Sequence, residues 1–203
     1  MTIPNAGTAN LPAAPPVVLL VGGYAGTGKT TLGAILARRT RWPLLDKDST
    51  TRDVVEAALH ALGHSPHDRE SALYREILRP AEYRALITAV LENVDVGVSV
   101  IATAPFTAEL ADPDWCRCLR SQVETRGARL HAAWIRCDPD TMLRNITDRD
   151  AARDAGKLSE WDAYLAGLDP RYAPALEGSR VIDNNTTVAA LEDQAEQLIA
   201  AIA

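Results

Sequence analysis

Gly23-Tyr24-Ala25-Gly26-Thr27-Gly28-Lys29-Thr30 has the spacing G-x-x-x-x-G-K-[ST]. Glycines so placed let successive backbone N–H groups turn towards one anion, and a helix N-terminus behind them adds partial positive charge. That chemistry is nucleotide phosphate binding. Lys29 is placed to reach the β- and γ-phosphates, and the Thr30 hydroxyl to bind Mg²⁺. The phosphate-binding candidates are Gly23, Ala25, Gly26, Thr27, Gly28, Lys29, Thr30 and Thr31. The flanks suit the loop. Val17–Val21 is a β-branched apolar run that predicts a buried strand, and Thr31–Arg39 reads as a helix with Leu32, Ile35 and Leu36 inside.

Moving a phosphoryl group needs more than a cradle. It needs Mg²⁺, positive charge on the transferred group and a residue that orients or deprotonates the nucleophile. Asp46 and Asp48 close the second apolar run, Trp42–Leu45. Side chains two apart on a strand share a face, so both carboxylates are expected in the crevice at the strand's carboxyl end. One could accept a proton from a substrate and the other hold Mg²⁺ through water. In a blander reading Asp48 caps the next helix, as Ser49 or Thr50 also could. Arg149 and Arg153 lie four apart, within about 40° of each other on a helix. They are candidates for a lid closing over the triphosphate, with Arg144 about 140° away and the weaker choice. Arg52, Tyr74, Arg75, Arg79 and Tyr83, after the second strand, are candidates for the acceptor pocket.

The elements that must position these residues alternate. Strands are predicted at Val17–Val21, Trp42–Leu45, Val94–Ala102, His131–Cys137 and Arg180–Asp183. Helices follow each, one of them over Trp115–Arg126 with Gly127 as its cap. Pro80 interrupts the helical pattern after Ser71, Gly156 breaks the arginine-bearing helix, another helix follows at Glu160–Leu165, and Val188–Ile202 is a terminal amphipathic helix. Alternation of this kind predicts an α/β fold, a parallel sheet with helices on both faces. Residues 1–15, rich in Pro, Ala, Asn and Gly, read as a disordered leader to a single domain over 16–203, with a lid at about 144–158.

The chain has 203 residues and a formal net charge of −6. No basic block offsets the acidity, which argues against a nucleic-acid partner and tilts towards a cationic substrate. Cys116, Cys118 and Cys137 are too few and scattered for a disulfide framework and fit a reducing, cytoplasmic compartment. No apolar run is long enough for a membrane span. His60, His64, His67 and His131 lack metal-ligand spacing.

Three stretches together, GGYAGTGKT, LLDKD and RNITDRDAARDAGK, resemble the small P-loop kinases of the shikimate kinase, gluconate kinase, chloramphenicol phosphotransferase and zeta-toxin group. The resemblance implies a three-layer P-loop NTPase fold whose five-stranded parallel sheet runs in the order 2-3-1-4-5, with a helical lid. It implies ATP and Mg²⁺ as cofactors. By its pattern Asp48 is the base, Asp46 the carboxylate on the metal side beside Thr30, and Arg149 and Arg153 act with Lys29 on the phosphoryl group. Adenine is placed near Asp183-Asn184-Asn185. One departure stands out: the acid such kinases often carry at the end of strand three is missing from Ser99–Pro105, where Thr103 occupies the strand end.

The expected activity is phosphorylation of a hydroxyl on a small molecule, with an aminoglycoside or other sugar-bearing antibiotic as one acceptor class. A regulatory module that hydrolyses nucleotide and a toxin-type kinase of an activated amino sugar are the alternatives.

Overall fold

The computed structural model describes residues 14–149, 154–185 and 187–202. Five strands form one sheet: β1 (Val17–Gly22), β2 (Leu44–Asp46), β3 (Val100–Thr103), β4 (Arg129–Arg136) and β5 (Arg180–Asp183). Their order is β2-β3-β1-β4-β5. Every pair is parallel, with Leu20 opposite Ala102 on one side and Ala132 on the other. The fold is the three-layer α/β arrangement expected.

β1 is the central strand, and all six of its residues are buried. Its side chains alternate between two cores. Val17, Leu19 and Val21 pack against Leu32 and Leu36 of α1 (Lys29–Thr40) and Leu191 and Leu198 of α8 (Val188–Ile202). Val18 and Leu20 face the opposite core, with Leu86 and Val90 of α3 (Arg79–Asp95) and Leu119 and Val123 of α4 (Pro113–Thr125). A strand covered on both faces must be apolar throughout, which is why its sequence shows no polar alternation. The remaining helices are α2 (Lys47–Ala61), α5 (Pro139–Arg149), α6 (Ala155–Ser159) and α7 (Trp161–Ala166).

Several element ends shift by one or two residues from expectation, and three readings differ more. Val94 and Asp95 end α3 instead of opening a strand, and β3 begins only at Val100 after a turn at Gly97. Pro80 does not interrupt the chain's helical path. Leu73–Leu78 is a π-helical segment leading directly into α3, with Pro80 in that helix's first turn, where the missing N–H costs nothing. Gly156 lies within α6, so it does not break a helix there.

Candidate functional site

The phosphate loop leaves the carboxyl end of β1 and enters α1 at Lys29. Its carbonyl groups are taken up by donors from other parts of the chain. Asn145 Nδ2 on α5 donates to Gly26 O (2.7 Å), and Asn184 Nδ2 after β5 donates to Thr27 O (2.9 Å). Tyr24 O accepts from both Thr27 Oγ1 (2.9 Å) and Lys29 Nζ (2.7 Å). Carbonyls held this way leave the loop's other face to its N–H groups, as anion binding requires. Two cleft-lining positions need glycine. Gly26 and Gly28 have φ of 80° and 99°, and a Cβ on Gly26 would lie 2.6 Å from Met142 O while one on Gly28 would overlap Asn184 Nδ2. Beneath the loop, the Tyr24 ring meets Trp134 and Tyr172 edge-on, and the latter two stack with centroids 4.0 Å apart.

Not every loop candidate faces the cleft. Gly26, Gly28, Lys29, Thr30, Thr31 and Ala25 line it. Gly23 does not: its N–H donates to Pro105 O (3.1 Å) and is spent within the fold. Thr27 is fully buried and braces the loop from inside. Burial, with the positive charge of Arg149 beside it, lowers the Lys29 pKa to about 8, against the opposing pull of Asp48, Asp46 and Asp154.

The two aspartates are not on one strand face. β2 ends at Asp46, because its carboxylate accepts from Ser49 N (2.9 Å) and so starts α2 at Lys47. Asp46, not Asp48, Ser49 or Thr50, is the cap. Its other oxygen, Oδ2, accepts from Thr103 Oγ1 (2.6 Å), the fully buried residue opposite it in the β2–β3 register. Thr103 thus occupies the strand-three position where an acid was missing, and it orients Asp46. Asp48 lies in the first turn of α2, where its Oδ1 pairs with Lys47 Nζ (3.1 Å). Both aspartates still line the cleft.

Asp46, Asp48, Arg52, Tyr74, Arg79 and Tyr83 share one cleft with the phosphate loop, of about 1030 Å³. Several of them are already engaged. The Tyr74 hydroxyl donates to Glu82 Oε2 (2.8 Å), and that of Tyr83 accepts from Phe106 N (3.1 Å). Burial raises both phenol pKa values, reinforced by Glu82 at Tyr74 and by Glu109 at Tyr83, so both stay protonated at neutral pH. Arg79 makes a two-pronged pair with Glu109 (2.7 and 2.9 Å) and lies over the Tyr83 ring. Those three are wall and brace more than free ligands. Arg52 differs: its Nε is buried with no hydrogen-bond partner among the described residues.

α5 is described as far as Arg149, and Arg153 lies outside the described residues, so their shared helix face is not described. Arg149 Nε donates to Asp154 Oδ2 (2.8 Å), and Lys157 Nζ donates to Asp154 Oδ1 (3.0 Å); the Asp154 carboxylate is buried. Arg144, the weaker expectation, lines the cleft with Arg149.

A family model described as "AAA domain" matches residues 18–171. The chain belongs to the AAA domain family. No curated protein matches this AAA domain by sequence search. Among solved structures, it is similar to a presumed kinase from Chloroflexus aurantiacus, at 21% identity over 93% of this chain and 98% of that one, with a TM-score of 0.63. A sugar kinase from Janibacter sp. HTCC2649 is 20% identical over 93% and 96%, with a TM-score of 0.61. A shikimate kinase from Bacteroides thetaiotaomicron is 19% identical over 91% and 98%, with a TM-score of 0.57. This AAA domain therefore has the fold of small P-loop kinases.

The site of the AAA domain also uses residues that its motifs do not display. Asn145 and Asn184 hold loop carbonyls from 119 and 157 residues away in sequence. Lys47, Glu82, Asp154 and Lys157 form buried or half-buried charge pairs. The only sequence signal for Lys47 was its place between Asp46 and Asp48.

Proposed function

We propose that this AAA domain is an ATP- and Mg²⁺-dependent kinase that phosphorylates a hydroxyl of a small molecule. The observation that carries the reading is one cleft with a phosphate loop on one wall and Asp48 on the other, close enough for the Asp48 charge to act on Lys29. A module that only hydrolysed nucleotide would have no use for the acceptor end beyond Asp48. Hydroxyl phosphorylation puts Asp48 at the acceptor proton, with Lys29, Arg149 and Arg153 offsetting charge on the phosphoryl group. The segment 144–158 is the lid in this reading, released when Arg149 exchanges Asp154 for phosphate.

Mg²⁺ fits the donors present. The Thr30 hydroxyl is exposed in the first turn of α1 and makes no hydrogen bond to described residues, and Asp46 is held in place by Thr103 and Ser49. Mg²⁺ keeps most of its water and needs only a few such groups. When bound, it would neutralise charge on the phosphates.

The acceptor end is lined by Arg52, Arg69, Arg75 and Arg79. Arg69 and Arg79 are paired with Glu56 and Glu109, whereas Arg52 and Arg75 have no carboxylate partner among the described residues. Glu70 and Asp48 share this wall. Two uncommitted guanidiniums favour an acceptor that carries an anionic group as well as its hydroxyl. A polycationic aminoglycoside, suggested by net charge, draws no support from this wall. A toxin-type kinase of an activated amino sugar, whose phosphates are anionic, remains compatible with it.

The test is ADP release with and without a panel of hydroxy acids, sugar phosphates, nucleosides and aminoglycosides. Turnover stimulated by an anionic member, lowered about 100-fold or more by Asp48→Asn with nucleotide affinity kept, is the expected result. ADP release that ignores every acceptor and survives Asp48→Asn sinks the kinase reading in favour of hydrolysis.

A further inference from the structure

Lys47 sits between the two aspartates, yet its side chain turns inward and is 4% exposed. Its ammonium lies 2.8 Å from Glu82 Oε1 and 3.1 Å from Asp48 Oδ1. Glu82, on α3, is as deeply buried, and each of its oxygens is further satisfied: Oε1 accepts from Thr51 Oγ1 (2.6 Å) and Oε2 from the Tyr74 hydroxyl (2.8 Å). One carboxylate thus collects a lysine, a threonine and a tyrosine from α2 and the π-helical segment. The lysine carries the connection out to Asp48 at the cleft wall.

A buried lysine–glutamate pair is poor value as a stabilising device, since well-packed apolar residues of the same volume usually do as well or better. Deep burial also limits how far Lys47 can move. What an ammonium can do here and an apolar side chain cannot is hold a carboxylate. We infer that Lys47 is a positioning residue for Asp48: Glu82 fixes the ammonium, and the ammonium fixes the direction in which the Asp48 carboxylate faces the cleft. This rests on the reading of Asp48 as the group that meets the acceptor hydroxyl. Phosphoryl transfer relies chiefly on placement, so an oriented carboxylate matters more than a strongly basic one. Because the anchor includes Tyr74 and α3, the acceptor wall and the orientation of Asp48 are set by the same buried carboxylate.

Two variants separate positioning from simple structural support. Lys47→Met leaves Glu82 buried without its cation and is expected to lose thermal stability. The pair Lys47→Met with Glu82→Gln removes both charges and should recover most of that stability. Crystal structures and acceptor kinetics of the double variant then read the proposal. Expected are an Asp48 carboxylate turned away from its wild-type direction and a kcat lowered at least tenfold, with the nucleotide KM within about twofold of wild type. Lys47→Arg, which keeps the cation, should return part of kcat. A double variant with Asp48 in its wild-type conformer, or with wild-type kcat, overturns the inference. The Asp48 conformer is read without any acceptor. Failure of the kinase reading shows instead as acceptor-independent ADP release in the wild-type protein, so the two failures are distinct results.

Discussion

In the proposed kinase Lys29 meets the nucleotide phosphates, and its protonation has a measurable consequence. Burial and Arg149 hold its pKa at about 8, below its ordinary 10.5. Without nucleotide, the ammonium form therefore prevails only below about pH 8. Anionic phosphates favour that form, so nucleotide binding between about pH 8 and 10 should take up a proton, and affinity should fall as pH rises through this window. Calorimetry in two buffers of different ionisation enthalpy measures the uptake, which Lys29→Met should abolish. The linked stability has the opposite trend. Above about pH 8 the unfolded chain binds more protons at this residue, so the cost of burying Lys29 is full below that pH and is relieved as pH rises towards 10.5. At this scale the motif residues were legible, because a phosphate cradle demands fixed types at fixed spacing. Asn145 and Asn184 were not, since a side-chain amide that bonds a distant carbonyl leaves no local pattern.

Elements decided where those residues point. Asp46 and Asp48 do not share a strand face because a capping carboxylate ends β2 at Asp46, two residues short of what alternation required. Hydrophobic pattern alone does not show which of several polar residues will start a helix. The π-helical segment was equally hidden, since Pro80 signals a break whether the chain turns away or only changes helical pitch. There the structure has one residue more than an α-helix would hold, and Arg79 N donates to Tyr74 O, five residues back. The surplus should matter to the acceptor wall. Deleting Ile77, whose side chain is exposed, would let an α-helix run on from α3 and rotate Tyr74 and Arg75 by about 100° about its axis. The Tyr74–Glu82 bond would then be lost. The expected outcome is unchanged nucleotide affinity with an acceptor KM raised at least tenfold. An unchanged acceptor KM would make the segment a mere connection.

Across the whole molecule, the site is assembled from pieces far apart in the chain, all at the carboxyl edge of the sheet. The parallel sheet was legible from alternating strand and helix patterns. The strand order was not, because periodicity shows which faces are apolar but not which strands are neighbours; that order came with the resemblance and agrees with the structure. The same assembly should make nucleotide a global stabiliser. The phosphate loop is tied to the segment after β3 through Gly23 and Pro105, to α5 through Asn145 and to the residue after β5 through Asn184. A ligand that binds this loop only when it is folded stabilises every element tied to it. At 100 times Kd the gain is about 2.7 kcal/mol, and for a domain of this size each kcal/mol raises Tm by about 2–4 °C. Saturating nucleotide should thus raise Tm by about 5–11 °C. The rise should be nearly lost in Lys29→Met, which removes the cation at the phosphates. It should persist in Asp48→Asn, which in the proposed reading changes only the acceptor side. Scanning calorimetry of the three proteins decides it. A full rise in Lys29→Met would mean that nucleotide stabilises the protein from somewhere other than this loop, and the assignment of the two walls would have to be redrawn.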